Sequence, residues 1–213
     1  MNSNSVFIIA SMTALLKRLL DNEIVRQFAH APVGDVMITA LPPDRIQLGT
    51  EERAQLNLYL YRVTANSTRQ SASMLTQRAG SSARLPLALD LHYLLAAYGE
   101  KELQADVLLG CAAQLFHENP VVSPAALRSL LATTQNGGST NPLLETIASS
   151  TFIDQLQPVK LIPEFLSIDD ISKLWASWQA HARPALTYQV SMVLVGNYDE
   201  EHVAQDKTAE AVQ

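Results

Sequence analysis

Asp90 and His92 stand two residues apart in the run Leu89-Asp-Leu-His-Tyr93, so on an extended strand both side chains leave the same face. A carboxylate beside an imidazole is two thirds of a hydrolase triad, and the chain holds serines to complete one. The context argues otherwise. The chain contains no Gly-x-Ser-x-Gly turn to present a nucleophile, and no serine sits where a base would stand beside it. The period-two pattern instead reads Asp90 and His92 as a polar pair on the less buried face of a sheet.

The remaining reactive residue types are scattered. His30, His92, His117, His181 and His202 occur singly, and His117-Glu118 is half of a metal site without its other half. Cys111, the single cysteine, excludes an intrachain disulfide and falls on an apolar helical stripe, as a small buried hydrophobe would. Gly137-Gly138 lacks the lysine and the strand-to-helix setting of a phosphate loop, so no nucleotide cofactor is expected. Trp175 and Trp178, three apart, suit core or interface anchors better than a ligand platform. The acid pairs Glu51-Glu52, Asp169-Asp170 and Glu200-Glu201 are adjacent residues that diverge, as solvated or helix-start charges do. No catalytic constellation, metal site or cofactor site emerges.

Composition narrows the partners. The chain has 213 residues, enough for one sizeable core, and the expected division is a single body over 1–196 with a charged tail over 197–213. Hydrophobic residues make up 47% and charged residues only 17%, few for a surface that faces water everywhere, so part of it is expected to meet protein. A net charge of −6 without a Lys/Arg run removes the footprint of phosphate-backbone binding, so nucleic acid is not an expected partner. Lys17 and Arg18 interrupt the apolar stretch 6–20, which fits neither a signal peptide nor a membrane span. Synthesis in the cytoplasm and no direct membrane insertion are the expectations.

The elements that must position these residues alternate between two periods. Residues 5–28 keep Ile8, Met12, Leu15, Leu16, Leu19, Ile24 and Phe28 at helical spacing, and Pro32 and Gly34 end that helix. Residues 35–41 read as a short strand. In 55–63, Leu56, Leu58 and Leu60 alternate with Asn57, Tyr59 and Tyr61. In 85–98 the odd positions from Leu85 to Leu95 share an apolar face opposite Ala88, Asp90, His92 and Leu94. After Gly99, the acids Glu100, Glu102 and Asp106 precede a stripe of Val107, Leu108, Cys111, Leu115 and Phe116, which predicts a core helix. A short helix is expected from Ser123-Pro124, and 133–142 reads as a polar interruption. Residues 159–162 read as a strand closed by Pro163, Ser167 with Asp170 signals a helix start, and 185–195 alternates as a last strand. Between the second and third strands, the polar stretch 64–84 is long enough for a reaching arm. The fold class is α+β, mainly an antiparallel sheet flanked by helices.

Three ordered motif groups carry a resemblance: Asn57-Leu-Tyr-Leu-Tyr-Arg-Val-Thr64; Pro86-Leu-Ala-Leu-Asp-Leu-His-Tyr-Leu-Leu-Ala-Ala-Tyr-Gly99; and Leu108-Leu-Gly110 with His117-Glu-Asn-Pro120. Pro158-Val-Lys-Leu-Ile-Pro163, Leu166-Ser-Ile-Asp-Asp-Ile-Ser-Lys-Leu-Trp175 and Arg183-Pro-Ala-Leu-Thr-Tyr-Gln-Val-Ser191 extend it through the second half. Over roughly 5–195 the chain resembles the Pvc-type cap proteins of contractile injection systems. The resemblance implies a tail-terminator-like body, a homo-hexameric ring that closes the inner tube and anchors the last sheath ring, and no active site or cofactor. Tube protein and sheath protein are the implied partners, in a particle that is cytoplasmic, membrane-attached or released. Arg62 just before the arm, Asn66, Arg69, Arg78 and Arg84 in it, and Tyr198 in the tail are the expected subunit or sheath contacts. The competing readings are a baseplate or adaptor component of the same particle, and a small-ligand-binding or hydrolytic domain using Asp90, His92 and the tryptophans.

Overall fold

In the computed structural model, residues 7–28, 35–46, 53–68, 87–123 and 158–195 are described. Helix α1 (Ile8–Phe28) leads into strand β1 (Met37–Thr39), a single 3-10 turn (Pro43–Arg45) and strand β2 (Gln55–Ala65). Strand β3 (Leu87–Tyr98), helix α2 (Gln104–Glu118) and the short β4 (Val121–Val122) follow; β5 (Val159–Glu164), α3 (Ile168–Ser177) and β6 (Ala185–Val195) close the described fold. The strands form one sheet in the order β1-β2-β3-β6-β5-β4. Among the described strands only the β1–β2 pair is parallel, and the other neighbours run antiparallel. The α+β expectation holds, with the sheet mixed at one edge.

β3 explains the layering. Its odd residues Leu91, Tyr93, Leu95 and Ala97 meet α1 and α2 in the main core. Its even residues Leu94, Ala96 and Tyr98 pack on Trp175 of α3 in a second core. Both faces are therefore covered, and the polar pair predicted for the less buried face is inside: Asp90 is 7% exposed and His92 4%. α1 turns Met12, Leu15, Leu16 and Leu20 inward at three-and-four spacing. In α2, Leu108, Cys111, Leu115 and Phe116 do the same, whereas Val107, assigned to that stripe by spacing, is 47% exposed at the helix start.

Two bulges break the period-two pattern. Leu60 faces Tyr93 while Arg62 faces His92, so Tyr61 is an extra residue and the alternation shifts by one. Without it, Arg62 and Thr64 would point into the aliphatic core. On the other side of β3, Leu89 faces Val193 and Leu91 faces Val190, leaving Ser191 and Met192 opposite Asp90. That bulge returns Val193 to the main core, where it is 1% exposed, although strict alternation put it opposite Val190. Pro163 lies inside β5 instead of ending it. The Leu161 N–H reaches the Pro120 carbonyl toward β4, and two residues on β4 has ended, so a missing N–H at Pro163 leaves no ladder bond unmade.

Candidate functional site

The chemistry-bearing side chains gather on the α3 side of the sheet, in a polar tier across β2, β3, β6 and β5. The bulge at Tyr61 turns Arg62 and Thr64 toward His92, and the end of β5 brings Glu164 over the same histidine. His92 Nδ1 lies 2.9 Å from Glu164 Oε2 and 3.0 Å from Oε1, and Nε2 lies 2.8 Å from Thr64 Oγ1. A carboxylate accepts only, so Nδ1 carries a proton toward it and, in the neutral ring, Nε2 accepts from the threonine hydroxyl. Tyr61 donates to Glu164 Oε2 at 3.2 Å, and the Arg62 guanidinium stands 3.6 Å from Oε1. The Glu164 carbonyl accepts from Thr187 Oγ1 at 2.6 Å, which fixes the carboxylate's backbone to β6. Burial, with the Glu164 charge beside it, pushes the Tyr61 phenol up to about 12.

A second cluster adjoins the first along β3. Asn66 Nδ2 donates to both oxygens of Asp90, at 2.9 and 3.2 Å, and lies 3.3 Å from Ser191 Oγ; Ser191 donates to Asp90 Oδ1 at 2.9 Å. All three residues are buried. The β6 bulge is what gives Ser191 this place opposite the carboxylate. The Asn66 N–H also donates to the Ala88 carbonyl at 2.9 Å, so the point where the chain leaves β2 is tied by backbone and side chain alike.

Hydroxyl, imidazole and carboxylate stand in the order Thr64–His92–Glu164, the order of a nucleophile relay. Asp90, the partner suggested by the sequence, belongs to the other cluster, and the acid on His92 comes from β5, 72 residues away. The relay suits cohesion better than catalysis, because a carbonyl under attack must reach hydroxyl and imidazole together and His92 presents 4% of its surface. Each ring nitrogen is satisfied internally, as a buried polar group must be.

Trp175 is a core residue, and Trp178 stands edge-on to Tyr59, Tyr61 and Trp175 with ring centroids 5.4, 6.4 and 5.8 Å apart. Cys111 is buried, and desolvation pushes its thiol up to about 11, away from the reactive thiolate. Glu118 accepts from Gln114 at 2.8 Å at the end of α2. Among the described residues no group of three or more His, Cys, Asp or Glu could hold a metal ion, and no helix is long and apolar enough to cross a membrane. Of the expected contact residues, Arg62 is half exposed beside Glu164, and Asn66 is internal with its amide on Asp90. Arg69, Arg78, Arg84 and Tyr198 lie outside the described residues, as do His30, His202, Glu51-Glu52, Glu200-Glu201, Gly137-Gly138, the helix predicted from Ser123-Pro124 and the tail. Sequence reasoning missed Thr64, Ser191 and Glu164. An acid directly after Pro163 was the one available signal, and only the register makes it meet His92.

A solved sheath/tube terminator of an extracellular contractile injection system, PVC, in its extended state, is similar at 14% identity over 85% of this chain and 57% of its own, with a TM-score of 0.43. The tube-terminating cap of the anti-feeding prophage is similar at 13% identity over 84% of this chain and 56% of its own, with a TM-score of 0.42. The chain thus spans a little over half the length of these solved proteins. No curated protein sequence matches it. The family model described as the Pvc16 N-terminal domain matches residues 11–206, starting later than the 5–195 over which the motifs carry the resemblance and running further at the carboxyl end. With nearly the whole chain inside that match, the β2–β3–β6 scaffold and its buried polar tier are those of a member of the Pvc16 N-terminal domain family.

Proposed function

We propose that the chain is a structural cap protein, which as a ring, a hexamer, closes the inner tube of a contractile particle and anchors its last sheath ring. The observation that carries this reading is the family match over residues 11–206. The chemistry of the tier supports it: Glu164, His92 and Thr64, and beside them Asp90, Asn66 and Ser191, tie neighbouring strands by buried hydrogen bonds, as suits a rigid structural part. This role uses surfaces, not an active site. Its partners are copies of itself, the tube protein and the sheath protein.

The test is electron microscopy of purified particles from cells with and without the chain. Density for the chain on the end of the tube distal to the baseplate, and tubes of irregular length with unanchored sheath in its absence, are expected. Density at the baseplate instead makes it an adaptor component, and intact, uniform particles without it end the cap reading.

A further inference from the structure

We infer that the segment 69–86 of one copy docks on the start of α2 of a neighbouring copy, an inference that rests on the ring proposed above. The receiving surface is apolar and acid-rimmed. Leu103 is 66% exposed and Val107, one turn on, 47%. Glu100, Glu102 and Asp106 surround them, all exposed, with Lys101 as the one opposing charge. The segment is the chemical converse: it holds Arg69, Arg78 and Arg84, contains no Asp or Glu although the whole chain carries −6, and has Met74-Leu75 at its middle. Basic side chains flanking an apolar centre fit an apolar pair flanked by acids, which steers the encounter and sets its register.

Reach decides whose segment it is. The segment leaves from the end of β2 and returns to the start of β3, two ends tied by the Asn66–Ala88 bond. α2 begins beyond the opposite end of β3, and twelve residues of strand separate the two ends by roughly 37 Å. Leu75 is seven residues past Thr68, the last described before the segment, so fully extended chain carries it at most about 25 Å. The Met74-Leu75 pair of a copy therefore cannot cover that copy's own patch. A neighbour's segment can, and two different surfaces meeting head to tail are what a closed ring needs.

The experiment uses whole particles. Cells making the particle receive the chain with Cys111→Ala, Leu75→Cys and Val107→Cys, and purified particles are oxidised and run without reductant. A ladder at multiples of the chain mass is expected, which Leu75→Cys or Val107→Cys alone does not give. Reversing Glu100, Glu102 and Asp106 to Lys is expected to weaken the cross-link about tenfold, and further reversal of Arg69, Arg78 and Arg84 to Glu to restore it, which a folding defect would not allow. Particles that contain the chain but give no ladder, a link within one copy, or a link to tube or sheath protein overturn the docking and leave the cap reading standing. Particles that lack the chain overturn the cap reading, and the docking falls with it.

Discussion

His92 is bonded at both nitrogens, and Glu164 accepts from the histidine and Tyr61 with the half-exposed Arg62 guanidinium beside it, so removing Glu164 leaves the buried His92 Nδ1–H without its acceptor. Glu164→Ala should cost about 2–3 kcal/mol in urea unfolding, and Glu164→Gln, which keeps an acceptor oxygen, about 1 kcal/mol. Equal losses would mean that the cluster is not a hydrogen-bonded tie. The tyrosines give the pH dependence. The folded chain holds the Tyr61 proton up to about 12, whereas an ordinary tyrosine releases it near 10, and burial moves Tyr93 and Tyr188 the same way. Raised folded values mean that this stability is complete below pH 10 and drains as pH rises from 10 toward 12. Unfolding followed across that window should show a steady loss, with phenolate absorbance from these tyrosines delayed relative to the unfolded chain. Cys111, buried and raised, should react with a thiol reagent only as fast as the chain opens.

At the level of elements, junctions matter more than interiors. Gly99 joins β3 to α2, and a Cβ there would stand 2.9 Å from the Ala105 nitrogen and 3.0 Å from the Gln104 Cβ. Gly110, inside α2, has open space around it. Gly99→Ala should therefore destabilise by about 1–3 kcal/mol, and Gly110→Ala should stabilise by about 0.5–1 kcal/mol, compared by thermal unfolding. The reverse order would mean that the strand–helix junction has room this packing denies. Ser167 caps α3, accepting from the Asp170 N–H at 3.1 Å, as the Ser-x-x-Asp spacing predicts. Ser167→Ala should cost about 1 kcal/mol and fray the helix that holds Trp175 against the sheet.

For the whole molecule, the sheet joins two surfaces at opposite ends of β3: the root of the 69–86 segment and the start of α2. Deleting 69–82 while keeping Asn66 should leave the body folded, because the Asn66–Asp90–Ser191 cluster and the Ala88 bond remain. Particles built with that deletion should lose the ring and the sheath attachment, seen as irregular ends by electron microscopy. Normal length and attachment would remove the segment from the contact. Circular dichroism of the deleted chain separates lost contact from lost fold.

Periodicity by itself determined the elements. The alternation in β3, the stripes of α1 and α2 and the span of β6 are local consequences of 2.0- and 3.6-residue repeats, and apart from the exposed Val107 in α2 they lie where those repeats put them; the cap at Ser167 follows from its local Ser-x-x-Asp spacing. The ordered motifs likewise carried the family. What tertiary structure decided was which face each polar residue joined after a bulge, and who met whom across the sheet. Tyr61 and the Ser191–Met192 pair each shift the alternation by one residue, a change that costs nothing visible in composition and reverses every side chain beyond it. Asp90 and His92, neighbours in sequence, thereby answer to Asn66 and Ser191 in one case and to Thr64 and Glu164 in the other. Pairings that distant rest on strand register and on helix α3 covering the far face of the sheet, neither of which a local pattern contains.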